Sequence, residues 1–283
     1  MNTGITLNNG VSIPMLGFGT WCIDDGKASD AVKTAIELGY RHIDTAQVYG
    51  NEAGVGRGVR ESGVAREELF VVSKVAAENK SYESAARSVD ETLVKTGLDY
   101  LDMMIIHSPQ PRAEWRGEKR YFEENREVWR ALEDAYSAGK LRAIGISNFL
   151  IDDIEELLPY CRIKPAVNQV LAHIGNMPEE LISYCSGQGI AVEAYSPIAH
   201  GEAVKNPVIT ETAAKYKVSA AQLCIRYVLE RGIVALPKAS SREHIRENAS
   251  LDFTISDEDM SALGALDFKD YGEYSFFPVF SGK

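Results

Sequence analysis

The stretch Leu101-Asp102-Met103-Met104-Ile105-Ile106-His107 is an apolar run that ends on a titratable side chain. Its consecutive apolar residues place apolar groups on both faces of a strand, as in a sheet that helices cover on both sides. Short apolar runs of this kind recur along the chain and predict a series of buried strands. The eight runs are Met15–Phe18, His42–Ile43, Phe70–Val72, Leu101–Ile106, Ala143–Ile146, Ala166–Val167, Ile190–Ala194 and Ile233–Leu236.

Segments with helical spacing lie between these runs. Ala85, Val89 and Leu93 recur at intervals of four residues, which is typical of one helix face. Ser219-x-x-Gln222 is a capping box that begins another helix, and Gly39 marks the end of an earlier one. Strand and helix alternate eight times over roughly 250 residues, which predicts an α/β fold, a (β/α)8 TIM barrel. An open doubly wound sheet is the alternative.

Three segments interrupt this alternation and predict which parts of the chain lie at the bottom and at the top of the barrel. An Asn-Gly turn between two short alternating runs predicts an N-terminal β-hairpin over residues 5–13, at the bottom of the barrel. The long stretch Ser108–Asn125 and the tail from Asp267, with five aromatic residues, predict loops at the top. Their aromatic side chains suit a binding lid, an anchor onto the barrel, or both. No linker divides the chain, so we predict a single (β/α)8 barrel domain over residues 1–283.

Composition limits the partners of the protein. The chain has 30 Lys and Arg against 41 Asp and Glu, a net charge of −11, with 45% hydrophobic residues. This is ordinary globular composition, unlike collagen, a coiled coil or a disordered tail. The acidic balance argues against a nucleic-acid partner, although a local basic pocket on an acidic protein could still bind a small anion. No apolar stretch approaches the ~20 residues of a membrane helix, so we expect no membrane partner.

The cysteines and the N-terminus indicate a cytoplasmic protein. The N-terminus lacks a basic start followed by an apolar run, so it does not read as a signal peptide. The cysteines form no C-x-x-C pair, and five histidines make no zinc-type grouping, so we expect no metal. We expect a monomer in the reducing cytosol, with buried or inert thiols. The four cysteines are Cys22, Cys161, Cys185 and Cys224.

Titratable side chains come at the ends of three successive apolar runs, Asp44 and His107 directly and Lys74 after Ser73. Asp44, Lys74 and His107 stand 30 and 33 residues apart, about one βα unit each, and function in such a barrel sits at the C-terminal ends of the strands. Each residue alone has a structural explanation: Asp44 as a helix cap, Lys74 reaching out from a strand end, His107 as a buried histidine. Later runs deliver Ser147, Asn148, Asn168, Gln169, Tyr195, Ser196 and Lys238 to the same rim.

Together with Tyr49, these three side chains form one chemical scheme. A tyrosine hydroxyl near a lysine ammonium has its pKa lowered from about 10. A carboxylate beside the lysine keeps it charged and oriented, and a histidine on the rim can bind a substrate oxygen. Such a group of residues predicts a proton donor for the reduction of a carbonyl.

The chain resembles the aldo-keto reductase family over nearly its full length. The motifs that carry the resemblance are specific as an ordered set, and no single one is. They are GFGTW at 17–21, GYRHIDTA at 39–46, YGNE at 49–52, SK at 73–74, LD at 101–102, HSP at 107–109, GKLRAIGISNF at 139–149, NQ at 168–169, AYSP at 194–197, LPK at 236–238 and EN at 247–248.

The resemblance implies a catalytic tetrad of Asp44, Tyr49, Lys74 and His107, in which Tyr49 is the general acid. Lys74, held by Asp44, would assist Tyr49, and His107 would orient the carbonyl of a small-molecule substrate. Trp21 and Trp115 would contact that substrate beside Tyr49 and His107.

The resemblance also implies a nicotinamide cofactor, NADPH or NADP+, without a Rossmann fold. The nicotinamide ring would stack on Tyr195, and its carboxamide would meet Ser147, Asn148 and Gln169. The residues implied for cofactor binding are Gly19, Thr20, Asp44, Ser147, Asn148, Gln169, Tyr195, Ser196, Pro197, Lys238, Ala239, Ser240, Arg242, His244, Glu247 and Asn248.

Two local features qualify this interpretation. Ala239 and His244 stand where many relatives have a hydroxyl residue and an arginine facing the 2′-phosphate, so we predict that NADPH is preferred by a reduced margin and that NADH is usable. The glycines of Gly54–Gly58 fail the G-x-G-x-x-G spacing, and we interpret them as small packing residues of a helix. The alternatives are a non-catalytic cofactor-bound sensor or structural protein on this scaffold, and a metal-dependent barrel hydrolase using Asp44 and His107.

Overall fold

A computed structural model of the chain describes residues 4–276. Eight parallel strands follow one another in sequence order around a single sheet, from β3 to β10. A parallel bridge between Leu16 and Ala235 joins the last strand to the residue that precedes the first, which nearly closes the barrel. The strands are β1 Gly4–Thr6, β2 Ser12–Pro14, β3 Gly17–Gly19, β4 His42–Asp44, β5 Phe70–Val75, β6 Leu101–Ile106, β7 Leu141–Ser147, β8 Val167–Leu171, β9 Ala191–Tyr195 and β10 Val234–Leu236.

Helices lie between the strands, so the predicted (β/α)8 barrel is confirmed and the open doubly wound sheet is excluded. The capping box is present, since the Gln222 amide donates to Ser219 Oγ at 3.2 Å, and Gly39 follows the first helix with a φ of 98°. The helices are α1 Asp25–Glu37, α2 Glu52–Arg60, α3 Tyr82–Thr96, α4 Phe122–Ser137, α5 Ile151–Leu157, α6 Glu179–Gly187, α7 Pro207–Lys215, α8 Ala220–Glu230, α9 Arg242–Ala249 and α10 Asp257–Gly264.

The N-terminal hairpin covers the bottom of the barrel, as predicted. Strands β1 and β2 pair antiparallel, and the buried side chains of Leu7 and Ile13 join the cluster inside the barrel. The Asn8 side chain donates to the carbonyl of Pro165 at 2.7 Å, just before β8 begins. The hairpin is therefore tied to the N-terminal ends of the strands, opposite the rim where their C-terminal ends meet.

Close helix packing accounts for the glycines of α2. A Cβ atom on Gly56 would lie 2.0 Å from the carbonyl oxygen of Thr96, and one on Gly54 would lie 2.3 Å from that of Asp25. Only a residue without a side chain fits at these contacts with the neighbouring helices. The interpretation as packing glycines is confirmed.

The loop predicted over Ser108–Asn125 is shorter than expected. Helix α4 begins at Phe122, so the last four residues form its first turn, where Glu123 and Glu124 favour the positive end of the helix dipole. A short 3-10 helix, Arg112–Glu114, interrupts the remaining loop.

The tail from Asp267 is anchored by Tyr271, which is fully buried. The Tyr271 hydroxyl lies 3.0 Å from His173 Nε2 and accepts a hydrogen bond from Asn176 Nδ2 at 2.9 Å. The tail residues Phe277 and Phe280 lie outside the described residues. Among residues 4–276, no helix combines the length and apolar composition that a membrane crossing needs.

Candidate active site

A cavity of about 370 Å³ opens at the C-terminal ends of the barrel strands. Most residues predicted for the site line this cavity, because parallel strands bring their C-terminal ends to one rim. The predicted residues in its wall are Gly19, Trp21, Asp44, Tyr49, His107, Trp115, Ser147, Asn148, Gln169, Tyr195, Ser196, Pro197 and Lys238.

Lys74 lies directly behind the wall and connects two of its members. Its ammonium is fully buried and donates to Asp44 Oδ1 at 2.5 Å and to the Tyr49 hydroxyl at 3.4 Å. Burial acts to lower the pKa of Lys74, but the charge of Asp44 and its hydrogen bond outweigh burial and raise that pKa. Lys74 is therefore a charged donor inside the barrel and does not reach out from the strand end, and Asp44 is not a helix cap, since Ala46 is the N-cap residue of the 3-10 helix that follows.

The pKa of the Tyr49 hydroxyl is shifted upward, whereas the sequence predicted a downward shift caused by Lys74. Burial raises the pKa of Tyr49, while Lys74 acts in the opposite direction and lowers it. The net direction is upward, because the phenol is enclosed by protein and the ammonium compensates only part of the lost hydration. Tyr49 is therefore protonated at neutral pH, as a proton donor must be.

His107 packs edge to face against Tyr49 in the cavity wall, with ring centroids 5.8 Å apart and planes at 79°. Burial and the positive charges of Lys74 and Arg112 hold its pKa well below the usual value. The imidazole is therefore neutral, with one N–H to donate. Its Nδ1 has no hydrogen-bond partner within the described part of the chain.

Gln169 links the site to a second carboxyl group that sequence reasoning missed. Its Nε2 donates to Asp44 Oδ2 and to Glu193 Oε2, both at 3.0 Å. Glu193 is fully buried, and burial raises its pKa to about 8. The sequence feature that could have revealed Glu193 is its position as a charged residue inside the apolar run that forms β9. His42 Nε2 lies 3.7 Å from the other Glu193 oxygen.

Three polar side chains at the ends of β7 and β9 are held in one network. Tyr195 donates its hydroxyl proton to Asn148 Oδ1 at 2.7 Å, and Asn148 Nδ2 donates to the carbonyl of His107 at 3.0 Å. Ser147 donates to the carbonyl of Gln169 at 2.8 Å. The aromatic ring of Tyr195 and several amide groups therefore lie on one side of the cavity, beside Tyr49 and His107.

Thr20 is predicted for cofactor binding but is not in the cavity wall. Its side chain is fully buried and donates to the carbonyl of Asp44 at 2.9 Å. The hydroxyl thus fixes the backbone of the strand end that carries Asp44.

The predicted phosphate-binding residues lie beyond the cavity wall, around the N-terminus of α9. Ser241 caps this helix by accepting from the His244 amide at 3.2 Å. Arg242 is exposed and pairs with Glu37 of α1 at 2.8 Å. The predicted cofactor residues outside the wall, besides Thr20, are Ala239, Ser240, Arg242, His244, Glu247 and Asn248.

One side of the cavity is an aromatic cluster of Trp21, His200 and Tyr274. The rings of His200 and Tyr274 stack at 4.7 Å, and Trp21 lies 5.2 Å from His200 and 5.7 Å from Tyr274. The aromatic tail signalled Tyr274, so the tail serves both as an anchor and as part of the wall. No sequence signal marked His200.

Cys22 is not a buried thiol, although its raised pKa agrees with the inert alternative of the expectation. It is exposed, has a φ of 58° and lines the cavity, next to Trp21. Burial of its inner face and the nearby Asp24 raise its pKa, and Lys238 lowers it in part. Cys185 and Cys224 are buried as expected, while Cys161 is half-buried.

The described residues contain no cluster of three or more His, Cys, Asp or Glu side chains placed to hold a metal ion. Asp44 and His107, on which a barrel hydrolase would depend, both lie in the cavity wall. The Asp44 carboxylate accepts from Lys74 and Gln169. It is therefore already neutralised by an ammonium.

Comparison with known proteins shows a match to the model of the Aldo/keto reductase family over residues 15–267. Glyoxal reductase of Bacillus subtilis (strain 168) is 46% identical over 264 residues, covering 93% of this chain and 92% of that protein. The 9,11-endoperoxide prostaglandin H2 reductase of Trypanosoma cruzi is 41% identical over 267 residues, covering 93% and 90%.

Solved structures agree with this result. An aldo/keto reductase from Brucella melitensis has a TM-score of 0.88 at 36% identity and covers 94% of this chain and all of that chain. A Bombyx mori aldo-keto reductase in complex with NADP has a TM-score of 0.87 at 32% identity, covering 99% of both chains.

Proposed function

The chain belongs to the aldo/keto reductase family, and from this premise we propose that it reduces small aldehydes or ketones to alcohols with NADPH, Tyr49 supplying the proton. The observation that carries the proposal is the contact of buried Lys74 with both Asp44 and Tyr49, which line one cavity together with His107. Two of the similar proteins support this proposal: one relative is a glyoxal reductase, and one similar structure is a complex with NADP.

The residues of the cavity have the chemistry that carbonyl reduction requires. Tyr49 gives its proton to the carbonyl oxygen, and the ammonium of Lys74 stabilises the phenolate that remains. Asp44 keeps that ammonium charged and in place. Neutral His107 donates a hydrogen bond to the same oxygen and thereby orients the carbonyl. Proton addition at oxygen and hydride addition at carbon together make one alcohol.

The donor groups of the site fit a nicotinamide cofactor. Tyr195 offers a flat ring, Asn148 and Gln169 offer amides, and Lys238 lies in the cavity wall just before α9. The N-terminus of α9 and Arg242 suit phosphate groups, since helix N-termini and guanidinium groups bind anions. When bound, a reduced nicotinamide supplies the hydride.

The test is the Tyr49→Phe variant, which removes one oxygen atom and keeps the ring. We expect NADPH binding, followed by nicotinamide fluorescence, to be unchanged. Turnover of an aldehyde panel should fall by about 10²- to 10⁴-fold, the usual contribution of a general acid. Full activity in Tyr49→Phe would refute the assignment of Tyr49. A wild-type protein that binds NADPH but reduces no carbonyl would favour the sensor alternative.

A further inference from the structure

The cavity wall carries an excess of positive charge in a protein with a net charge of −11. Among the described residues, the charged side chains in the wall are Asp44, Arg112 and Lys238. Asp44 is neutralised by Lys74, whose Nζ lies 2.5 Å from its carboxylate. The wall therefore presents two cations, and a cleft lined by one sign of charge concentrates ions of the opposite sign.

The two cations lie near different parts of the site. Lys238 follows β10 and precedes α9, on the side proposed for the cofactor phosphates. Arg112 begins the short 3-10 helix in the loop after β6 and lines the same cavity as Tyr49 and His107. The guanidinium therefore shares the cavity wall with the two side chains proposed to bind the carbonyl oxygen.

Arg112 is only loosely held by the protein. Its Nε lies 3.9 Å from Glu78 Oε1, beyond hydrogen-bonding distance, and about half of each side chain is exposed. An exposed pair of this kind contributes little free energy. A ligand carboxylate that makes two parallel hydrogen bonds would compete with it well, because the guanidinium fork matches that geometry.

Trp115 on the same loop contributes an aromatic face. Its indole lines the cavity together with Arg112. Its Nε1–H has no hydrogen-bond partner among residues 4–276 and is not exposed to the cavity, so the charged contact to a ligand comes from Arg112.

We propose that Arg112, in the wall beside the indole of Trp115, makes this site selective for carbonyl compounds that carry a negatively charged group, a carboxylate or a phosphate. The selectivity rests on the proposed reductase function. The anionic group binds Arg112 while the carbonyl oxygen meets Tyr49 and His107. The polar loop after β6 is then the part of the chain that selects the substrate.

The test compares matched charged and neutral aldehydes. The carboxylate pair is 4-carboxybenzaldehyde and its methyl ester, and the phosphate pair is glyceraldehyde 3-phosphate and glyceraldehyde. In Arg112→Gln, we expect kcat/KM to fall at least tenfold for the charged member of one or both pairs and less than twofold for the neutral members. The pair that responds more strongly identifies the anion. Glu78→Gln should raise kcat/KM for the charged member, because it removes the competing carboxylate.

The matched control is Lys119→Gln, which removes one positive charge from the same loop outside the cavity wall, where Lys119 pairs with Glu124 at 2.8 Å. It should leave the ratio of charged to neutral kcat/KM within twofold. Equal losses for charged and neutral aldehydes in Arg112→Gln, or no loss, would overturn the proposal.

A binding measurement separates this proposal from the reductase function. The alcohol 4-(hydroxymethyl)benzoate should bind the NADP+ complex at least tenfold more tightly in the wild type than in Arg112→Gln, measured by calorimetry. The methyl ester should bind both proteins alike. If no aldehyde is reduced, the reductase proposal fails, but the difference in alcohol affinity between the wild type and Arg112→Gln still tests Arg112. Equal binding of the alcohol to both proteins would refute the role of Arg112.

Discussion

At the residue scale, the least expected feature is the fully buried carboxyl group of Glu193 beside His42. His42 Nδ1 lies 3.3 Å from the carbonyl of Pro14, which can only accept, so Nδ1 carries the hydrogen and Nε2 presents a lone pair. Burial lowers the pKa of His42 to about 4, so the ring is neutral. Glu193, with a pKa of about 8, is therefore mostly protonated at neutral pH, and its Oε1 lies 3.7 Å from His42 Nε2, beyond hydrogen-bonding distance.

Protonation of Glu193 limits the negative charge around the active-site ion pair. Gln169 donates to Glu193 and to Asp44 with the same amide group. If both carboxyl groups were ionised, two negative charges would share one donor in the barrel interior, which is unfavourable at low dielectric. A neutral Glu193 leaves the Asp44–Lys74 pair balanced.

We predict that Glu193→Gln stabilises the protein in a pH-dependent way. The pKa of Glu193 is about 8 in the folded protein against an ordinary value of 4.5. Its contribution to stability is complete below pH 4.5 and is lost as pH rises to about 8, because unfolding releases the proton in that window. The variant has no titrating group at this position. Its free energy of unfolding, relative to that of the wild type, should therefore rise by a few kcal/mol between pH 5 and 8 and then stay constant.

The measurement is urea unfolding of both proteins at several pH values across this window. Glu67→Gln, which neutralises an exposed glutamate, is the control, and its free energy of unfolding relative to the wild type should not rise in this pH range. An advantage of Glu193→Gln that is independent of pH would contradict the proton on Glu193.

At the element scale, the N-terminus of α9 determines the proposed cofactor preference. The side chain of Ser241 accepts from the His244 amide, and Arg242 is paired with Glu37 of the neighbouring α1. Arg242 is thus partly committed to a helix–helix contact, and His244 cannot offer a permanent charge. This arrangement agrees with a modest preference for NADPH over NADH.

We predict that His244→Arg raises that preference. A charge-assisted bond from arginine to the 2′-phosphate contributes about 1.5–3 kcal/mol, so the ratio of NADPH to NADH affinity should rise by about 10- to 100-fold. Fluorescence titration of both cofactors measures the ratio. Ser250→Arg, at the opposite end of α9, adds the same charge and should leave the ratio nearly constant. An unchanged ratio in His244→Arg would show that residue 244 does not face the 2′-phosphate.

At the scale of the whole molecule, the hairpin and the barrel share one interior. Leu7 and Ile13 pack with side chains from β5, β6 and β10, so the bottom of the barrel is closed by residues that precede it in sequence. Because this interior also includes side chains of β7 and β8, we propose that the chain unfolds as one domain. The expectations of a monomer and a cytoplasmic location stay predictions.

We predict that Ile13→Ala destabilises the entire barrel. Ile13 is fully buried, and truncating such a side chain costs about 2–5 kcal/mol. Tryptophan fluorescence and far-UV circular dichroism should report the same, earlier urea midpoint. Val94→Ala, at a site that is 81% exposed, should change stability by no more than about 0.5 kcal/mol. Two separate transitions in Ile13→Ala would contradict a single cooperative domain.

The local sequence was sufficient for the barrel and for the core of the site. Apolar runs, capping boxes and turn glycines act through neighbouring residues, so each strand and helix is encoded where it lies. Asp44, Lys74 and His107 are found because each stands at or just beside the C-terminal end of a strand, and parallel strands must bring these positions to one rim.

Other features depended on the tertiary structure. One cavity wall contains Cys22, Arg112 and Tyr274, which come from loops and a tail far apart in the chain. A local sequence pattern cannot predict that such distant segments come together. The upward pKa of Tyr49 and the proton on Glu193 have the same origin. A pKa responds to the water that surrounding groups exclude, and only the folded arrangement of distant strands decides how much water is excluded.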